Sequence, residues 1–387
     1  MTYETDCTLP EELLEQIAQQ GLDVLPAIIR TVINTAMQIE RQNYLGVGPY
    51  ERSQARQGHA NGYKSKTVTT RVGQVTFDVP QVRDGGFYPQ SLEKGLRSER
   101  ALKLALAEMY VQGVSTRKVA AITERLCGTE ISSSQVSRAT AELDEQFAAW
   151  RERSLGQMPY LYLDARYEKV RQDGQVRNAA VLLAMGVNQE GKREVLGVSV
   201  SLGEHEVHWR TFLKSLVARG LSGVQLIIAD DHGGLQKARM AVFGGVPWQR
   251  CQCHLQRNAQ AYVPRRAMKR EVAADIRAIF NAATRQDAET LLARTVEKYA
   301  PQASALADWL EENIPQGLTI FAFPSEHQRR LRTTNSLERL NREIRRRSRV
   351  AMLFPNEASC LRLVTAVVME ISDEWQTDRV YLRLDDM

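Results

Sequence analysis

Three acidic residues, far apart in the chain, stand in settings that suit metal ligands. Asp164 lies in the strand-like run YLYLDARYEKVR, Asp230 closes the apolar run VQLIIAD, and Glu338 lies in the arginine-loaded run RRLRTTNSLERLNREIRRR. Two strand-borne aspartates and one helix-borne glutamate are what a two-metal phosphoryl-transfer site requires. The ions clamp the attacking and leaving oxygens of an in-line displacement, roughly 3.5–4 Å apart, and a hard cation such as Mg²⁺ takes oxygen ligands. Most single aspartates are surface residues or helix caps. Asp164 stands out because Leu161, Tyr162 and Leu163 precede it on an expected central strand, where a carboxylate needs a partner. Asp231 is expected to point away from Asp230 by strand alternation, or to cap the next helix. Glu338 falls at helical spacing with Asn335, Arg342 and Arg345, while Leu337, Leu340 and Ile344 form another face. Glu343 reads as a surface counter-charge to the arginines.

Softer groups lie nearby in sequence. His232 follows Asp230 by two residues and suits either a supporting contact to the site or a helix-start hydrogen bond. Cys251, Cys253 and His254 put two or three soft ligands within four residues. Structural zinc takes four ligands in separated pairs, and Cys127 and Cys360 are far off. A thiol and imidazole packed beside the carboxylates is therefore expected rather than a zinc site. His205 and His208, near Trp209, read as helix-start and packing residues.

The charge pattern names a class of partner. Net charge is only +5, but residues 329–349 hold nine arginines against Glu338 and Glu343, and residues 248–270 hold six Lys/Arg and no acid. One such run is usually a solvated helix face. Two of them flanking the proposed carboxylates favour a polyanion, DNA or RNA. Apolar and charged shares of 43% and 25% are ordinary for a soluble globular chain. No run approaches the roughly 18 apolar residues of a membrane helix. The acidic start MTYETDCTLP lacks the features of a signal peptide, and five scattered cysteines fit reduced thiols. A cytosolic protein is expected.

The elements that must position these residues follow from periodicity. Residues 158–255 read as three consecutive strands with turns at Asp173-Gly174 and Glu190-Gly191, then helix, strand (VQLIIADD), helix and a short strand (WQRCQCHL). That order implies an α/β mixed sheet with helices against it, with Asp164 and Asp230 near the ends of neighbouring strands. Residues 256–325 are a helical block that leaves the sheet intact if its ends lie close together. Residues 329–349 return as the helix carrying Glu338, and Pro355-Asn356 precedes a final helix.

Ahead of this core, residues 11–43 read as helical and KTVTTRVGQVTFDVPQV as a hairpin about Gly73-Gln74. Pro80 is expected at an edge. Residues 99–150 hold three helices, the second capped by Ser115 and ended by Gly128, the third spanning SSSQVSRATAELDEQFAAW. A short turn before the third suits a helix-turn-helix, with Ser134, Gln135 and Arg138 placed to read base edges. A plain bundle fits the spacing equally well, and the basic hairpin region tips the balance toward DNA.

Taken together, HANGY with G.VTFDVPQVRDGGFYPQ (59–90), GVSTRKVAAITERL (113–126), YLYLDARYEKVR (160–171), HWRTFLKSLVARGL (208–221), D.H.GL (230–235), WQRCQCHLQRN (248–258), RTTNSLERLNREIRRR (332–347) and FPN (354–356) resemble the Mutator-type transposases of bacterial insertion sequences. Each segment is weak alone; in order, over most of the chain, they are specific. The resemblance implies a DDE enzyme with an RNase H-like core (158–255 and 326–387), a helical insertion (256–325), N-terminal helices with a basic hairpin (1–98) and a helix-turn-helix DNA-binding domain (99–150). It makes Asp164, Asp230 and Glu338 the catalytic acids and the ligands of two Mg²⁺ ions, with Mn²⁺ able to substitute. It puts the family's C-x-x-H on Cys251 and His254, and its N-x-x-E on Asn335 and Glu338. The acid at Asp231 departs from the family's more usual small or polar residue. The implied activity is binding of terminal inverted repeats, through Gln135 and Arg138, then metal-dependent cleavage and strand transfer with Arg342, Arg345 and Arg346 on phosphates. A homodimer on two DNA ends is expected. A nuclease without strand transfer and a non-enzymatic DNA-binding regulator are the alternatives.

Overall fold

The computed structural model describes residues 11–384 apart from 52, 84, 85, 129, 350 and 351, and of residues 11–14 and 22 only the backbone. Cys7 and the acidic start of the chain lie outside these residues. The chain divides into two compact units, one ending at Leu143 and the next starting at Asp144.

In the first unit, α1 (Glu11–Gln20) and α2 (Leu25–Leu45) precede a two-stranded antiparallel hairpin, β1 (Ala60–Thr70) and β2 (Gly73–Val82). Ile29, Ile33 and Met37 recur at helical spacing on α2 and pack on Val68, Val75, Phe77 and Val79. The hairpin turns at Arg71-Val72, two residues earlier than its Gly-Gln pair suggests, because Thr70 already pairs with Gly73. Gly73 sits at φ +107°, a conformation open to glycine, so it begins β2 instead of lying in the turn. With two strands both are edges, and Pro80 is accommodated. Then come α3 (Arg100–Val111), α4 (Thr116–Cys127) and α5 (Ser133–Ala141), around Leu106, Val119 and Val136. As expected, the Ser115 side chain caps α4 and Gly128 ends it in the left-handed region.

The third helix of that region is not continuous. It stops at Ala141 and restarts as α6 (Asp144–Glu152) in the second unit. Val136, Ala139 and Thr140 are buried on α5, and Phe147 is buried on α6. The restart is fixed from a distance: Arg362 grips Asp144 with two bonds of 2.6 Å.

The second unit is built on β3 (Tyr160–Gln172), β4 (Gln175–Val187), β5 (Arg193–Ser201), α7 (Glu206–Ala218), β6 (Leu226–Ala229), α8 (Gly233–Phe243) and β7 (Trp248–Arg250). Five strands form one mixed sheet in the order β5-β4-β3-β6-β7. Strands β3, β4 and β5 are antiparallel, with turns where Asp-Gly and Glu-Gly place them; β6 and β7 run parallel to β3. Leu161, Leu163, Leu182 and Ile227 pack with Trp209, Leu213 and Leu235 of α7 and α8. The short strand WQRCQCHL ends at Arg250. Cys251 is the N-cap of α9 (Gln252–Ala259), so Cys251 and His254 lie one helical turn apart.

The helical block continues as α10 (Lys269–Phe280), α11 (Arg285–Tyr299) and α12 (Ser304–Asn313), with its own core around Ile276, Leu292, Leu306 and Leu310. Its ends meet at the sheet: the Gln252 N–H donates to the Arg332 carbonyl at 2.9 Å. The arginine-rich run is not one helix. It divides into α13 (Ser325–Leu331) and α14 (Asn335–Ser348). The break falls at Thr334, fully buried, whose N–H and hydroxyl both donate to the Cys251 sulfur at 3.4 Å. α15 (Glu357–Thr377) is capped by Asn356 and packs on β5. No helix among the described residues is long and apolar enough to cross a membrane. Among them Cys251, Cys253 and Cys360 are free thiols.

Candidate functional site

Strand periodicity aims β3 at two opposite layers. Leu161 and Leu163 enter the core under α7 and α8. The alternate residues Tyr160, Tyr162, Asp164 and Arg166 face α13 and α14. Tyr160 Oη meets His327 Nδ1 at 2.8 Å, Tyr162 Oη donates to the Arg330 carbonyl at 3.2 Å, and Asn341 Nδ2 donates to Asp164 Oδ2 at 2.7 Å. Arg166 donates to the Asn341 carbonyl. The strand thus anchors the helix pair along its length, and the same face continues to Glu168, which accepts from Ser348 of α14 at 2.9 Å.

The parallel register brings the second acid level with the first. Tyr160, Leu161 and Tyr162 pair with Leu226, Ile227 and Ile228, so Asp164 stands beside Asp230, where β6 has just left the sheet. Because β6 ends at Ala229, strand alternation does not govern Asp231. Its carboxylate is not turned away: Arg250 reaches Asp231 Oδ2 through Nη1 at 3.2 Å and Asp230 Oδ1 through Nε at 3.9 Å. Nor does Asp231 cap α8, whose N-cap is His232 with no side-chain bond. Arg250 is nearly buried and is held by Asn313 and Gln316.

Glu338 arrives in the first turn of α14, where an acid also complements the positive helix end. His254 stands between the acids, with Nδ1 3.8 Å from Asp230 Oδ2 and Nε2 4.0 Å from Glu338 Oε1. Arg257, one turn further along α9, is 3.9 Å from Glu338. Leu337, Leu340 and Ile344 are buried as their spacing requires, whereas Arg342, Arg345 and Arg346 are exposed. Glu343 pairs with Arg346 at 2.9 Å, a surface counter-charge.

The electrostatics follow from burial and from these neighbours. Burial pushes the half-buried Asp164 carboxyl up to about 7, against the pull of the His254 charge. Hydrogen bonding to Cys251 raises His254, helped by the charges of Cys251, Asp230 and Asp164. Contact with Cys253 lowers the Cys251 thiol, assisted by His254 and Thr334. The two shifts favour negative charge on the Cys251 sulfur and positive charge on the His254 ring beside the acids. Asn335 at the start of α14 accepts from Cys253 Sγ at 3.6 Å.

The donor chemistry favours a hard cation: Asp164, Asp230 and Glu338 offer carboxylate oxygens, whereas the Cys251 sulfur is occupied by Thr334. As placed, no three His, Cys, Asp and Glu side chains among the described residues converge on a single ion position. The three acids, Cys251 and His254 come together, with Asn335 one contact away. His232 does not join them; its ring stands 3.5 Å from Glu204. Gln135 and Arg138 lie in the first unit. Gln135 completes a capping box with Ser132, and Arg138 Nε lies 3.4 Å from the Ser134 carbonyl.

Sequence reasoning missed Asn341, Arg250 and Arg257. Asn341 and Arg257 follow Glu338 and His254 by three residues, a spacing that puts them on the same helix side. Nothing in the local sequence separates Arg250 from the other basic residues of its run.

Residues 1–378 match the family model described as "Transposase, Mutator family". The chain is 56% identical over 371 residues to the transposase for insertion sequence element IS406 of Burkholderia multivorans, covering 95% of this chain and 96% of that protein. It is 43% identical to the transposase for ISRM5 of Rhizobium meliloti, over 97% and 94% of the two chains. It is 37% identical to the transposase for IS256 in transposon Tn4001 of Staphylococcus aureus, over 98% of each. Among solved structures, a simian T-cell lymphotropic virus intasome complex aligns at 14% identity over 51% of this chain and 67% of that chain, with a TM-score of 0.17, too low to bear on the fold. Matched along nearly its whole length by a family model and by these relatives, the chain belongs to the Mutator family of insertion-sequence transposases.

Proposed function

We propose that the second unit is a DDE transposase core of RNase H-like type, in which Asp164, Asp230 and Glu338 hold two Mg²⁺ ions, Mn²⁺ being able to substitute. The observation that carries this is the gathering of three carboxylates from β3, the end of β6 and the first turn of α14 around one imidazole. Family membership already implies an enzyme that cleaves DNA and joins strands. The bound ions would activate water or a DNA 3′-hydroxyl and stabilise the leaving oxygen.

The chain's own residues do the rest. Asn341 fixes the Asp164 carboxylate. Arg250 restrains Asp230, and the Cys251–Thr334 contact sets where α14 begins and so where Glu338 stands. His254 supplies positive charge among the acids, and exposed Arg342, Arg345 and Arg346 hold backbone phosphates. In the first unit, α4 and α5 act as a helix-turn-helix reading the terminal inverted repeats through Gln135 and Arg138. Two copies act together, one on each end.

The test is an assay of labelled terminal DNA with parent, Asp164→Asn, Asp230→Asn and Glu338→Gln. The parent should cleave and join only with divalent metal, while each variant binds DNA but loses both reactions. Nicking without joining would make the protein a nuclease. Metal-independent binding with no nicking by the parent would make it a regulator.

A further inference from the structure

Beside the first turn of α14, four arginines line a cleft of about 280 Å³: Arg193, Arg329, Arg330 and Arg339. Arg193 lies against two rings, 4.5 Å from that of Trp375 and 4.8 Å from that of Tyr381, and Arg330 also lies 4.8 Å from the Tyr381 ring. Tyr381 is itself pinned through the chain, because its N–H and that of Leu382 both donate to the Gly191 carbonyl. A Cβ at Gly191, where φ is +73°, would meet the Leu382 carbonyl oxygen at 1.7 Å. Ser336 donates to Tyr381 Oη at 3.2 Å, so two hydroxyls stand among the guanidinium groups.

The charge there is poorly balanced. Arg193 reaches Asp378 at 3.6 Å, but Arg329, Arg330 and Arg339 are exposed and form no ion pair among the described residues. Of the acids on the flanking helices, Glu343 is engaged by Arg346 and Glu370 by Arg347. Burial lowers the Arg193 guanidinium, and the like charges of Arg339 and Arg330 push it the same way. Planar guanidinium forks with hydroxyls beside them match the oxygens of a phosphodiester.

We propose that this cleft is a phosphate-binding site that grips the DNA backbone next to the reacting strand. The proposal rests on the transposase reading of the neighbouring carboxylates. DNA is favoured over a free phosphate because the positive charge continues. From Asn335 to exposed Arg346 the helix carries arginines along a run of about 16 Å, far longer than one phosphate. The cleft and Glu338 share the first turn of α14, so a backbone seated in the cleft passes the carboxylates at a fixed offset.

The experiment measures affinity of the full chain for a terminal duplex across a salt series, for the parent, Arg329→Gln, Arg339→Gln and the double variant. Each phosphate contact contributes about 0.9 to the slope of log affinity against log salt. The double variant should flatten the slope by about 1–2, each single variant by less, and Arg329→Lys/Arg339→Lys should restore it. Both side chains are exposed and form no ion pair among the described residues, so unfolding midpoints should match the parent. A double variant with the parent's slope overturns the site. Inorganic phosphate, compared with chloride at equal ionic strength, should not release the duplex; selective release would show a free-phosphate pocket and overturn the DNA assignment. Cleavage and joining are followed on the same preparations. A parent that cleaves and joins while the variants keep its slope overturns the cleft alone. A parent without metal-dependent cleavage overturns the transposase reading beneath it.

Discussion

The side-chain amide of Asn341 donates to Asp164 at 2.7 Å across 177 residues of chain, and the Asn341 backbone carbonyl accepts from Arg166 on the same strand face. One residue of α14 thus ties the helix that carries Glu338 to the strand that carries Asp164. Asn341→Ala should lower DNA cleavage about 10–100-fold, the usual cost of removing a group that orients a metal-ligating side chain, while repeat binding is unchanged. Single-turnover cleavage beside a binding assay measures both. Cleavage at the parent's rate would show that Asp164 is oriented without the amide.

Asp231 shares Arg250 with Asp230, so its loss should be felt at the site. Asp231→Asn is expected to slow cleavage about tenfold, by analogy with other groups that orient ligands. It should cost about 0.5–1 kcal/mol of stability, because its carboxylate is partly exposed. Asp230→Asn should abolish cleavage. Equal and complete loss in both variants would make Asp231 a ligand as well.

Thr334 is fully buried and sends two donors to the Cys251 sulfur. Cys251→Ala leaves both without an acceptor and should cost about 1–3 kcal/mol, read from denaturant unfolding. Cys251→Ser keeps an acceptor and should cost less. Protein purified without chelator should contain no stoichiometric zinc; one tightly held zinc per chain by elemental analysis would refute this packing role.

Arg138 is exposed on α5, whereas Gln135 is engaged in the Ser132 capping box. Arg138→Ala should therefore reduce the preference for repeat over random DNA by about 1–3 kcal/mol, the worth of a specific base contact, with little loss of stability. Gln135→Ala should also weaken the start of the helix by roughly 1 kcal/mol. Competition binding with the two DNAs, beside thermal unfolding, separates the effects. Equal loss on both DNAs for Arg138→Ala would mark it as a phosphate contact or a packing residue.

Much of this molecule is decided by local pattern. Alternation and Asp-Gly and Glu-Gly turns specify β3, β4 and β5; helical spacing specifies α2, α4, α7, α10 and α15. Ser115 and Gly128 bound α4 because a hydroxyl cap and a left-handed residue act within one turn. Asp164 and Asp230 stand out in sequence because each interrupts or borders an apolar run, and Glu338 because it is an acid within an arginine-loaded run. What the sequence could not decide depends on partners far along the chain. The split between α5 and α6 depends on Arg362 gripping Asp144, and the break before α14 on Thr334 meeting a sulfur 83 residues away. The orientation of Asp231 depends on Arg250, since side-chain alternation loses its meaning once β6 leaves the sheet. Asn341, one polar residue among many on α14, gains its place only when β3 lies beneath it. Sequence periodicity sets which face of an element is buried; only the tertiary structure sets what that face meets.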